Sequence, residues 1–166
     1  MTPEELKALQ APLKERYRRD PASAVVTLSV SGEATSGLSC KVETGRALVE
    51  AGFHPATGGT GELACSGDML LEALVACAGV TLSAVATALG IELHRATLTA
   101  EGDLDFRGTL GVAKDAPVGF RDVRLRFDLD TSASAEEQAT LLRLTERYCV
   151  VLQTLRNPPA VSFVTS

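Results

Sequence analysis

Residues Ser66–Leu89, SGDMLLEALVACAGVTLSAVATAL, decide how the rest of the chain must fold. From Ala73 to Leu89, 17 consecutive residues carry no charge. A membrane-spanning helix needs about 20 predominantly apolar residues. This run is short, rich in Ala and Gly, and lacks basic flanks, so it reads as a helix buried in a protein core. Ser66 suits its N-cap and Gly90 its stop, and Asp68 and Glu72 favour the positive end of the helix dipole. Cys77 falls mid-helix, with Leu70, Leu74, Val80 and Ala84 expected on its side.

The flanking sequence must supply the surfaces that cover this helix. On its N-terminal side, Ala24–Ser31 is rich in β-branched residues, with turn signals at Ser31-Gly32 and Ser36-Gly37. Leu38–Thr44 alternates with Leu38, Cys40 and Val42 on one face, and Arg46–Glu50 follows Gly45. These predict a meander of three antiparallel strands, then a glycine-rich loop over residues 52–62. On the C-terminal side, Ala96–Leu104 and Asp122–Asp130 read as strands. The second alternates cleanly, with Val123, Leu125, Phe127 and Leu129 inward and Arg124, Arg126 and Asp128 outward.

A second helix is predicted over Ala135–Arg156. Ser134 and Glu137 have capping-box spacing, and Leu141, Leu144, Tyr148, Leu152 and Leu155 form its apolar stripe. Asn157-Pro158-Pro159 stops it, and Ala160–Val164 predicts a short final strand. Residues 1–22 read as a helical arm capped by Thr2, with Pro12 interrupting or bending it. The remaining residues, 23–166, form one α+β domain.

The chain has 166 residues, 45% of them hydrophobic, enough for a sizeable core. Its net charge of −5 gives no general attraction for nucleic acid or anionic membranes, and 4% aromatics leave no stacking platform for bases. The charged first 20 residues contain no signal-peptide pattern, so a cytoplasmic protein with reduced thiols is expected. The four cysteines, at positions 40, 65, 77 and 149, stand at least 12 residues apart, and His54 and His94 lack ligand spacing, so no metal or cofactor is expected.

The cysteines carry the candidate chemistry. Free cysteine is often simply core packing, and Cys40 reads that way in its strand. Cys77 and Cys149 lie one on each long helix, and two packed helices can bring such thiols to disulfide distance. Cys65, at a helix N-terminus where thiols ionise more readily, is a rival nucleophile. Asp68 can position a cation against a thiolate.

The sequence Gly58-Gly59 followed by CSGDMLLEALVACAGVTL (Cys65–Leu82) resembles the loop and central helix of the OsmC/Ohr family. TERYCVVLQTL (Thr145–Leu155) resembles that family's second cysteine segment, and EGDLDFRG (Glu101–Gly108) its intervening strand. The resemblance covers residues 24–166. It implies an intertwined α+β homodimer, with antiparallel β-meanders around two long central helices. It also implies reduction of organic hydroperoxides, with Cys77 peroxidatic, Cys149 resolving, and a dithiol reductant restoring both. Ser66 departs from the family's proline, and Asp68 has the spacing of the OsmC-like branch. The activating arginine is expected from the meander, where Arg46 is the only arginine between Asp20 and Cys77. Two alternatives stand beside this one: a non-catalytic ligand-binding or stress-associated protein of the same fold, and a redox sensor using Cys65.

Overall fold

The computed structural model describes residues 2–19, 31–35, 39–43, 48–111 and 113–165. It falls into two compact units.

One unit comprises Met1–Arg19, Ala73–Thr99 and Arg126–Ser166. Helix α1 (Pro3–Arg19) begins at a capping box, in which Thr2 Oγ1 accepts the Glu5 N–H at 3.1 Å and Glu5 accepts the Thr2 N–H at 2.8 Å. It runs without a break through Pro12, where an interruption or a bend was expected. A proline removes one backbone donor, and the bonds on either side carry the helix past it.

Most of helix α2 (Ser66–Leu89) belongs here. Gly90 ends it at φ 69°, a left-handed conformation that glycine adopts without strain. The Gly90 N–H bonds the Thr87 carbonyl and the Ile91 N–H bonds that of Ala86, the double bond of a Schellman stop. Helix α4 (Ala135–Tyr148) starts at the capping box expected at Ser134 and Glu137. Leu82, Ala86 and Leu141 form the core, with Val85, Ile91, Leu93, Leu98, Phe127, Leu129 and Leu142 packed against them.

Three expectations need correction in this unit. The buried face of α2 is Leu74, Ala78, Leu82 and Ala86, one residue every four, whereas Val80 is 73% exposed. The helix is long and apolar enough to cross a membrane, and only 22% of its apolar stretch is buried within the chain. It meets its own core along one stripe flanked by half-buried residues such as Val85, and the far side around Val80 lies open. Second, the last helix is two helices, α4 and α5 (Val150–Arg156), separated at Cys149. The expected stripe is cut there, and Tyr148 faces outward at 57% exposure. Third, Ala160–Val164 forms no strand: it pairs with no strand among the described residues, and Phe163 is 99% exposed.

The other unit comprises Asp20–Glu72 and Ala100–Leu125. Strands β1 (Ser31–Thr35), β2 (Ser39–Glu43) and β3 (Leu48–Gly52) form the antiparallel meander, with Ala34 opposite Cys40 and Val42 opposite Val49. The first described strand is Ser31–Thr35, where Ser31-Gly32 had been read as a turn. Residues 24–30, expected to be strand, lie outside the described residues. A two-residue strand β4 (Ala64–Cys65) pairs parallel to β3 and leads directly into α2. Strands β5 (Leu93–Leu104) and β6 (Phe120–Thr131) pair in a separate sheet, and β6 has the predicted alternation of covered and exposed residues. Between them lies a one-turn helix, α3 (Phe106–Thr109), which Asp105 caps.

Candidate active site

Cys77 and Cys149 are brought together. Cys77 is carried by the continuous helix α2, half-buried, whereas Cys149 is fully buried at the break between α4 and α5. Both thiols are free, and each acts on the other's ionisation.

The break gives this pair its asymmetry. Cys149 has an extended backbone, φ −72° and ψ 106°, and its own N–H still bonds the Thr145 carbonyl at 2.9 Å. One residue later the chain is helical again, so the N–H groups at the start of α5 have no carbonyl behind them in that helix. Those of Val150 and Val151 act on the Cys77 thiol to lower its pKa. Burial works to raise the Cys77 pKa. The Val151 N–H, the Cys149 thiol, the Val150 N–H and the Thr81 hydroxyl outweigh it, and the net shift is downward. The Thr81 hydroxyl directs its proton to the Cys77 carbonyl at 2.7 Å, which sets it one turn from the thiol. Burial pushes the Cys149 thiol up, the Leu152 N–H opposes this, and the neighbouring Cys77 adds to the rise. Within the pair Cys77 is therefore the thiol that ionises more readily, and Cys149 the one that keeps its proton.

Asp68 lies elsewhere. It is nine residues from Cys77 on α2, which is about 13.5 Å and half a rotation of the helix, so the two project from opposite faces. With Cys65, His54, Leu71, Phe106 and Phe120 it lines a cleft of about 330 Å³. His54 stacks on Phe106 with ring centroids 4.8 Å apart, and its Nδ1 accepts the Ala56 N–H at 3.0 Å. The imidazole proton is thus on Nε2. Gly102 is required in this wall, because a Cβ there would sit 2.5 Å from the Phe120 ring. Arg46 lies outside the described residues, as does the side chain of Cys40.

Sequence reasoning missed the contributions of Val150, Val151 and Thr81. Backbone N–H groups have no side-chain signature, and Thr81 is one of three hydroxyl residues on the apolar run, with Ser83 and Thr87, and nothing in the sequence sets it apart. It also missed His54 as part of the Cys65 cleft, which forms by way of the one-turn helix α3.

The OsmC-like protein family matches residues 59–164, a span containing both cysteines of the pair. The chain belongs to the OsmC-like family. No curated protein matches it closely. Solved structures share the fold at low identity. An OsmC-like protein from Mycoplasma pneumoniae superposes with a TM-score of 0.68 at 16% identity, covering 80% of this chain and 89% of that one. An organic hydroperoxide resistance protein from Elizabethkingia anophelis gives 0.64 at 18% identity, covering 80% and 91%. One from Legionella pneumophila gives 0.62 at 17%, covering 80% and 92%. The mixed α+β class expected from the sequence is thus the OsmC-like fold.

Proposed function

We propose that this OsmC-like protein is a thiol peroxidase that reduces organic hydroperoxides. The carrying observation is the polarised pair, in which Cys77 is shifted towards thiolate and Cys149 is held as thiol. The Cys77 thiolate attacks the terminal peroxide oxygen and the O–O bond breaks. The leaving alkoxide takes a proton and departs as the alcohol, and Cys77 becomes a sulfenic acid. The Cys149 sulfur then attacks the Cys77 sulfur, water leaves, and a disulfide forms. A dithiol reductant in a reducing compartment such as the cytoplasm returns both thiols.

Two further residues belong to this reading. Arg46 supplies the cation that steadies the attacking thiolate and the peroxide oxygens. Asp68 orients that cation. Because Asp68 and Cys77 project from opposite faces of one helix, an Asp68 that serves a thiolate serves that of a second copy, and the open apolar face of α2 is the surface on which the two copies pack.

The test is stoichiometric. One equivalent of an organic hydroperoxide should remove two free thiols per chain, and peptide mapping should recover the Cys77–Cys149 disulfide. Loss at Cys65 alone would favour the redox-sensor reading. No rapid loss would favour a non-catalytic ligand-binding protein.

A further inference from the structure

The gap at Cys149 is held open by a side chain that does not touch either sulfur. In an uninterrupted helix the Val150 N–H would donate to the Glu146 carbonyl four residues back. Here that carbonyl is occupied by Gln153, whose Nε2 donates to it at 2.8 Å. The carboxamide cannot readily turn over, because Asn157 Nδ2 donates to its Oε1 at 3.3 Å. The backbone of the same residue closes the first turn of α5, with the Gln153 N–H on the Cys149 carbonyl at 2.9 Å. An ion pair between Arg156 and Glu146 bridges the break a second time.

We propose that Gln153 is a positioning residue of the thiol site: by taking the Glu146 carbonyl in place of the Val150 N–H, it keeps the helix broken at Cys149 and leaves that N–H to the Cys77 sulfur. The break contains neither glycine nor proline, the residues that usually force one. The Glu146 carbonyl is exposed; with the Gln153 amide gone it is free to accept the Val150 N–H, its ordinary helical donor, and α4 and α5 would join. The proposal rests on the reading of Cys77 as the reacting thiol. Its test measures ionisation without peroxide, so the two can fail separately.

Two variants remove the donor while keeping side-chain length: Gln153→Met and Gln153→Glu. In either one, the pH midpoint of Cys77 alkylation by iodoacetamide should rise by about one unit. At a pH below the midpoint, alkylation should slow about tenfold, as expected for loss of one charge-assisted hydrogen bond. A purely structural role would lower the melting temperature and leave that midpoint alone. In the wild-type protein, the Val150 amide resonance should titrate with the Cys77 midpoint, a reading that needs no variant. A folded variant with the wild-type midpoint, or a Val150 amide insensitive to Cys77 ionisation, overturns the proposal.

Discussion

Cys149 is the residue at which the final helix stops and restarts, and its thiol rests against that of Cys77 on the continuous helix α2. The arrangement gives two neighbouring sulfurs different surroundings. Cys77 faces backbone N–H groups freed by the break. Cys149 is enclosed, and the neighbouring sulfur helps to keep its proton in place.

The first consequence is a pH dependence with a definite sign. A lowered pKa keeps Cys77 ionised below the ordinary thiol range, and its reactivity falls as pH drops through that lowered value. Cys149→Ala removes one hydrogen-bond donor to the thiolate, so the fall should begin at higher pH. Alkylation near neutral pH should slow about tenfold. A Cys77 profile unchanged in this variant would show that the Cys149 thiol does not act on it.

The core prediction concerns Leu141. It is 0% exposed and sits with Leu82 and Ala86 at the centre of the unit that carries both thiols. Leu141→Ala should cost about 2–5 kcal/mol, by lost burial and a residual cavity. Denaturant unfolding followed by circular dichroism measures it, and a cost under about 1 kcal/mol would contradict the packing described.

Much of this was legible in the sequence. The uncharged run Ala73–Leu89 announced α2, the Ser134/Glu137 spacing fixed the start of α4, and strict alternation in β6 assigned its covered face. These features are local and repeat with the period of their element. The break at Cys149 was not legible, because Val150 and Val151 are ordinary helix residues and the gap is held by Gln153 bonding seven residues back. The stripe by which α2 meets its core was not legible for a related reason. A helix apolar all round gives no angular contrast, so the sequence alone could not tell which stripe meets the core. The pairing of Cys77 with Cys149 was anticipated as a possibility of two packed helices, and the family resemblance gave the thiols their separate roles.

The open face of α2 leads to a prediction about assembly. Val80 is 73% exposed at the middle of an apolar helix. Light scattering at micromolar concentration should give twice the chain mass of 17.4 kDa. Val80→Glu places a charge in that contact and should shift the population to single chains. Wild-type protein running at 17.4 kDa would exclude the dimer.

Arg46 is tested through the same thiol. If its guanidinium stands by the Cys77 thiolate, Arg46→Ala removes an opposite charge and must raise the Cys77 pKa. The alkylation profile moves to higher pH, while melting stays close to wild type. An unmoved profile would assign the cation to another residue.

The division of labour between the thiols can be separated by mass. The peroxidatic sulfur makes the first bond change, so Cys77→Ser should abolish peroxide consumption and leave Cys149 unmodified. The resolving sulfur acts only on the sulfenic acid. Cys149→Ser should therefore still consume about one equivalent of hydroperoxide per chain, and Cys77 should gain about 16 Da. Excess peroxide should then carry Cys77 to the sulfinic state, since no neighbouring thiol removes the hydroxyl. Each swap keeps side-chain volume and adds a hydroxyl. At the enclosed Cys149 position that hydroxyl needs a partner, so a loss of about 1–3 kcal/mol is expected there, and melting must show the variant folded before its chemistry is read. Modification at Cys149 in the Cys77→Ser variant, with none at Cys77 in the Cys149→Ser variant, would reverse the order in which the two sulfurs act.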